Sequence, residues 1–163
     1  MKVAAIVEAR MSSSRLAGKV LMPIGSKNSL EHIYDRLSKV HEISEICIAT
    51  TEKQSDDIIE NWANIRGLAI YRGSENDVLS RVLGAADMLS AEIIVEITGD
   101  CPFVDPLMVD QYIEILKDND LDYQEFPAEW DKYGKSAGYK RNVQIVDACD
   151  MVLAFWDGES KGT

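Results

Sequence analysis

Four short apolar runs, residues 2–7, 43–50, 68–71 and 93–98, recur along the chain, and the segments between them carry apolar residues at helical spacing. This alternation restricts the fold more than any other feature. It is the sequence form of a parallel sheet whose strands are joined by crossover helices, and the run at 93–98 is apolar almost throughout, as a strand buried on both faces should be. The expectation is an α/β domain, three layers deep and doubly wound around a mainly parallel sheet of about five strands.

The first helix opens at Ser29-Leu30-Glu31-His32 and turns Leu30, Ile33, Tyr34, Leu37 and Val40 inward. The second, over 55–65, presents Ile58, Ile59 and Trp62; the third, over 75–89, presents Val78, Leu79, Val82, Leu83 and Ala86. Pro106 suits the first turn of a fourth helix ending near Lys117. A polar break at 118–120 follows, then an irregular connection over 126–138, a helix over about 140–149 and a fifth strand over 151–155. One face of that last strand would be poorly protected unless a partner chain, as in a homodimer, or the long connection covers it.

A chain of 163 residues suits one compact domain that needs neither disulfides nor metal to hold it. The formal net charge of −11 argues against a duplex nucleic acid or an anionic membrane as partner, since a phosphate backbone requires a basic footprint. Cys47, Cys101 and Cys149 lack metal-ligand spacing and read as reduced thiols. With neither a signal peptide nor an apolar span in the sequence, a soluble cytoplasmic protein is expected.

Against this acidic background the segment Glu8–Lys19 stands out, because it sets Arg10, Arg15 and Lys19 among Ser12, Ser13 and Ser14 directly after the first strand. Guanidinium forks can take paired phosphate oxygens while the ammonium supplies a point charge, so the loop is laid out as a triphosphate cradle. In an open α/β sheet ligands bind outside the carboxyl ends of the strands, and the fourth run delivers Thr98-Gly99-Asp100-Cys101-Pro102 to that same edge. Gly99 would let backbone approach a ligand, and Asp100 could share Mg²⁺ with substrate phosphates. Taken alone, Asp100 would also serve as a turn residue capping the next helix. No nucleophilic triad has to be invoked, and His32 and His41 are given no role.

Three segments, Glu8–Lys19, Arg72–Arg81 and Thr98–Pro106, stand in the order and spacing of a known family. Through them, residues 1–123 resemble the N-terminal half of the nucleotide-sugar cytidylyltransferases, nearest the SpsF-type spore-coat polysaccharide members and similar to the CMP-Kdo and CMP-acylneuraminate synthetases. The resemblance implies a Rossmann-like nucleotidyltransferase half that binds CTP and Mg²⁺ and transfers a cytidylyl group to a sugar, with pyrophosphate leaving. Carried over by position, Arg10, Ser13, Ser14, Arg15 and Lys19 would hold the triphosphate, Arg72 and Asp77 would lie near the base or ribose, and Asp100 would bind the metal. Arg15, Lys19 and Asp100 would be the catalytic set.

Family members continue for roughly another hundred residues, a domain-sized extent, which supply the sugar pocket. Residues 124–163 resemble instead the DUF2493 group of the SLOG superfamily, on Phe126-Pro127-Ala128-Glu129-Trp130, Gly134–Gly138, Arg141-Asn142 and Ala154–Thr163. That likeness implies a second phosphate-facing edge at Arg141, Asn142, Ser160, Gly162 and Thr163. A chimera of two half-domains joined near 123–126 would account for both, and the alternatives to an active transferase are a nucleotide-binding module and a chimera without activity.

Overall fold

The computed structural model describes residues 1–13 and 16–118. Strand β1 (Val3–Glu8) is an inner strand of the main sheet, buried from Val3 through Val7. It is followed by a hairpin of β2 (Pro23–Ile24) and β3 (Lys27–Asn28), and then by α1 (Ser29–Leu37). Strand β4 (Glu45–Thr51), helix α2 (Asp57–Ile65), strand β5 (Ala69–Gly73) and helix α3 (Val78–Leu89) come next. Strand β6 (Ile93–Thr98) and helix α4 (Pro106–Asp118) complete the described elements. The main sheet has the order β5-β4-β1-β6 with every pair parallel, and Val3 lies level with Ile93 and Glu8 with Thr98.

Side-chain alternation along β1 divides the core in two. Val3, Ala5 and Val7 point into a cluster with Leu30, Ile33 and Leu37 of α1, Ile59 and Trp62 of α2, and Val109 and Ile113 of α4. Ala4 and Ile6 point the other way, toward Val82, Ala85, Ala86 and Leu89 of α3. Helices therefore cover both faces, as a three-layer, doubly wound arrangement requires. Full burial of each large side chain contributes about 1.5–3 kcal/mol. The fifth strand expected at 151–155, the helix at 140–149 and Cys149 lie outside the described residues.

Helix α1 starts in a reciprocal capping box: Glu31 N–H donates to the Asn28 side chain at 2.9 Å, and the Glu31 carboxylate accepts from Asn28 N–H at 2.8 Å. The cap lies one residue before the expected opening at Ser29. The hairpin turns on Gly25-Ser26, with Gly25 at φ 67°, where a side chain would be strained.

Three inward assignments change. Ile58 is 52% exposed, and Leu79 and Leu83 are 64% and 47% exposed. On α3 the buried stripe runs instead through Arg81, Val82, Ala85, Ala86 and Leu89. The helix lies on a surface of small residues, Ala4 and Ala49, so its own small residues give the closest approach. Gly84 is part of that approach, since a Cβ there would stand 2.3 Å from the Tyr71 hydroxyl. Strand β6, expected to be buried on both faces, is covered by helices of the described residues on one. Ile93 is buried, but Ile94, Glu96 and Thr98 are exposed, because α3 packs over β1, β4 and β5. Among the described residues no helix is long and apolar enough to cross a membrane.

Candidate functional site

The chain runs outward from β1 to β4 and β5, then returns across the sheet to β6 on the other side of β1. That reversal opens a crevice outside the carboxyl ends of β1 and β6, the place where such sheets bind ligands. A pocket occupies it, lined by Glu8, Arg10, Ser13 and Lys19 from β1 and its loop, Arg81 from α3, and Thr98, Gly99 and Asp100 from the end of β6.

Backbone bonds set the shape of this crevice. Gly99 N–H donates to Glu8 O at 2.7 Å, and Gly99 O accepts from the Ser29 hydroxyl at 2.7 Å, so the end of β6 is tied to both β1 and α1. The loop after β1 closes on itself where Gly18 N–H donates to Met11 O at 2.9 Å. Gly18 makes that closure with φ 71°, and Lys19 begins the 3-10 turn that follows. From there the Lys19 ammonium reaches the Asp100 carboxylate in an ion pair. The hydrogen bond from Lys19 holds the Asp100 carboxyl below its ordinary value.

Arg10, Ser13, Lys19 and Asp100 thus line one pocket. Ser14 and Arg15, and Arg141, Asn142, Ser160, Gly162 and Thr163 of the second edge, lie outside the described residues. Arg72 and Asp77 do not line the pocket. The Arg72 guanidinium pairs with Asp57 and Glu60 and donates to the carbonyls of Thr51 and Lys53, and the bond to Asp57 raises its pKa. Asp77 caps α3, its side chain accepting from Ser80 N–H at 2.9 Å. His41 is solvated at its side chain and contacts Asp110.

Two charged residues that sequence reasoning did not single out sit at the floor of the pocket. Arg81 is 2% exposed, donates to Ser74 O at 2.6 Å, and brings its Nη2 to 4.0 Å from the Glu8 carboxylate. Burial lowers the Arg81 pKa. Its Nε has no hydrogen-bond partner. In the sequence, Glu8 and Arg81 are end residues of two of the family-like segments, and Arg81 shares the helical phase of Val82 and Ala85.

Burial, helped by a hydrogen bond with Glu96 and by the Glu96 charge, pushes the Glu8 carboxyl up to about 7, against the pull of Arg81 and Arg10. The folded chain therefore keeps a proton there between pH 4.5 and 7, where the unfolded chain has lost it, and stability falls as pH rises through that window. The penalty reaches about 3 kcal/mol and is constant above it. Glu8→Gln is accordingly expected to melt about 6–12 °C above wild type at pH 8 and level with it at pH 4. Equal melting temperatures at pH 8 would refute the assignment.

Metal fit can be tested on the donor set. Among the described residues no cluster of three or more His, Cys, Asp or Glu side chains could hold an ion by itself. Asp100 is one carboxylate at a strand end beside a loop of cations and hydroxyls, a donor set that suits Mg²⁺, an ion that takes one or two carboxylates and completes its shell with phosphates and water.

Residues 4–152 match the family model described as cytidylyltransferase. The spore coat polysaccharide biosynthesis protein SpsF of Bacillus subtilis is 38% identical over 122 residues, covering 72% of this chain and 51% of its own. A solved cytidylyltransferase from Leptospira borgpetersenii is 37% identical with a TM-score of 0.70, over 74% of this chain and 50% of that one. A CMP-2-keto-3-deoxy-manno-octonic acid synthetase complexed with CTP is 25% identical with a TM-score of 0.61, over 73% and 48%. The chain spans about half the length of the relatives it matches.

Proposed function

The chain belongs to the cytidylyltransferase family, and we propose that its pocket binds CTP with Mg²⁺ and transfers the cytidylyl group to a hydroxyl of a sugar used in surface polysaccharide synthesis. The observation that carries the reading is the meeting of Lys19 with Asp100, 81 residues apart in sequence, beside Arg10 and Ser13 in one crevice; in this reading the first segment holds phosphate and the second the metal.

In the proposed reaction the sugar oxygen forms a bond to the α-phosphorus, and the bond from that phosphorus to the bridging oxygen of the β-phosphate breaks. The electron pair leaves with pyrophosphate, and the hydroxyl proton passes to solvent or base. Such a transfer needs positioning and charge neutralisation more than a covalent catalyst. Lys19 and Arg10 would neutralise the phosphates, the Ser13 hydroxyl would donate to them, and Asp100 would hold the metal. When bound, Mg²⁺ would offset charge on the phosphate oxygens and orient the leaving pyrophosphate. Arg15 and Ser14 belong to the same loop by sequence and are assigned the same phosphates.

The test is pyrophosphate release from CTP and Mg²⁺ with a panel of 2-keto acid and amino sugars. Release with at least one sugar, absent with ATP or GTP, is the expected result. A chain that melts higher with CTP but releases no pyrophosphate with any sugar is a nucleotide-binding module, and no response to CTP at all overturns the reading.

A further inference from the structure

Asp56 immediately precedes α2, where an aspartate ordinarily caps the helix, yet its side chain makes no capping bond. The residue is fully buried, and its carboxylate turns away from the helix. One oxygen accepts from the Thr51 hydroxyl at the end of β4, and the other accepts from Met11 N–H at 2.8 Å, across 45 residues of sequence, and from the neighbouring Ser55 hydroxyl at 3.4 Å. A carboxylate withdrawn from water is costly unless its oxygens are satisfied, and of these bonds the one to Met11 reaches the basic loop.

Met11 is the post from which the basic loop hangs. Its N–H is taken by Asp56 and its carbonyl by Gly18 N–H, and its side chain packs against the core. Arg10 lies just before it, Ser13 just after, and Lys19 directly follows the Gly18 closure. Asp100, on the opposite side of the crevice, is held separately through Gly99, Glu8 and Ser29. The loop is tied down at Met11 by Asp56 and beside it by Glu75, which accepts from the Ser12 hydroxyl at 2.7 Å and, through its carbonyl, from Arg10 Nη1 at 3.4 Å, so Asp56 is one of the anchors that set the cations relative to Asp100.

We infer that Asp56 is a positioning residue, holding Met11 so that the loop presents its cations and hydroxyl toward Asp100. The inference rests on the reading of that loop as a triphosphate site, but it does not depend on which base or sugar is used. Asn at position 56 keeps an acceptor oxygen for Met11 N–H, whereas Ala removes every side-chain bond at that position.

Hydrogen exchange at the Met11 amide and titration with inorganic triphosphate, on the full chain, test it. Asp56→Ala is expected to speed Met11 exchange by about tenfold or more relative to amides of α3, and to weaken triphosphate binding by about the same factor, as for loss of a charge-assisted hydrogen bond. Asp56→Asn should stay within about threefold of wild type in both readings. Unchanged triphosphate affinity in folded Asp56→Ala overturns the inference, as does Asp56→Asn losing as much as Asp56→Ala. If Asp56→Ala does not fold, Thr51→Val frees one carboxylate oxygen at nearly constant volume and should move both readings in the same direction; no change in either overturns it. A wild-type chain that binds inorganic triphosphate but not CTP defeats the proposed function alone, whereas one that binds no triphosphate defeats both.

Discussion

Lys19→Ala weakens CTP binding by about tenfold to a hundredfold, and Asp100→Asn moves binding of the metal-free nucleotide the opposite way; these opposed shifts are the result expected first. In the free protein the Lys19 ammonium and the Asp100 carboxylate neutralise one another across the crevice. Removing the lysine costs the triphosphate a charge-assisted contact and leaves it facing an uncompensated carboxylate in a partly dehydrated pocket. Removing the acid frees the ammonium and deletes the repulsion, so metal-free CTP gains. With Mg²⁺ present the ranking reverses for Asp100→Asn, since a neutral amide is a poor substitute for the carboxylate, and pyrophosphate release should fall by about a hundredfold or more, the scale seen when a group stabilising transition-state charge is lost. Titration calorimetry with and without Mg²⁺ reads all four combinations. Both variants binding metal-free CTP as wild type does would show that the ion pair lies off the nucleotide site.

The parallel sheet and its cover of helices were legible because β1 and β4 carry apolar runs whose burial leaves few alternatives, whereas the order of the strands was not read from the sequence. The pocket was legible at its rim: Arg10, Ser13, Lys19 and Asp100 belong to loops that begin where strands end, so topology alone sends them to one edge. Its floor was not. Glu8 alternates with Val7 and faces α3, and Arg81 follows the buried phase of a helix, positions where periodicity predicts apolar residues and supplies no reason for a charged pair. Asp56 was hidden for a different reason, because an aspartate before a helix has an ordinary local use, and only tertiary structure shows that it serves the loop after β1 instead. Leu79 and Leu83 were misassigned since hydrophobicity favours leucine, while close packing on Ala4 and Ala49 favours alanine and glycine. The Gly25-Ser26 hairpin carried a signal that went unread, a glycine-led pair between short extended segments.

Gly99→Ala should damage stability and the site together. A Cβ at Gly99 would stand 2.5 Å from Glu8 O and 3.1 Å from Val20 Cγ1, and the first of these is backbone that cannot rotate aside. The φ of Gly99 is not in the left-handed region, so the glycine is required by the closeness of two strands and not by its own conformation. Relief requires the ends of β1 and β6 to part, which lengthens the Gly99–Glu8 bond and pulls Gly99 O from the buried Ser29 hydroxyl. Overpacking of this kind costs about 1–3 kcal/mol. Because Asp100 is the next residue, the displacement also moves the acid away from Lys19, and an error of about 1 Å in a positioned group can cost a hundredfold in rate. Gly67→Ala is the control: it has φ 66° with nothing within 4 Å of the added methyl, so it pays only the left-handed strain of about 1–2 kcal/mol, far from the pocket. Both variants should therefore melt below wild type, while CTP affinity falls in Gly99→Ala alone. Equal CTP affinity in the two, measured at a temperature where both are folded, would show that the closure of β1 on β6 supports the fold without shaping the site.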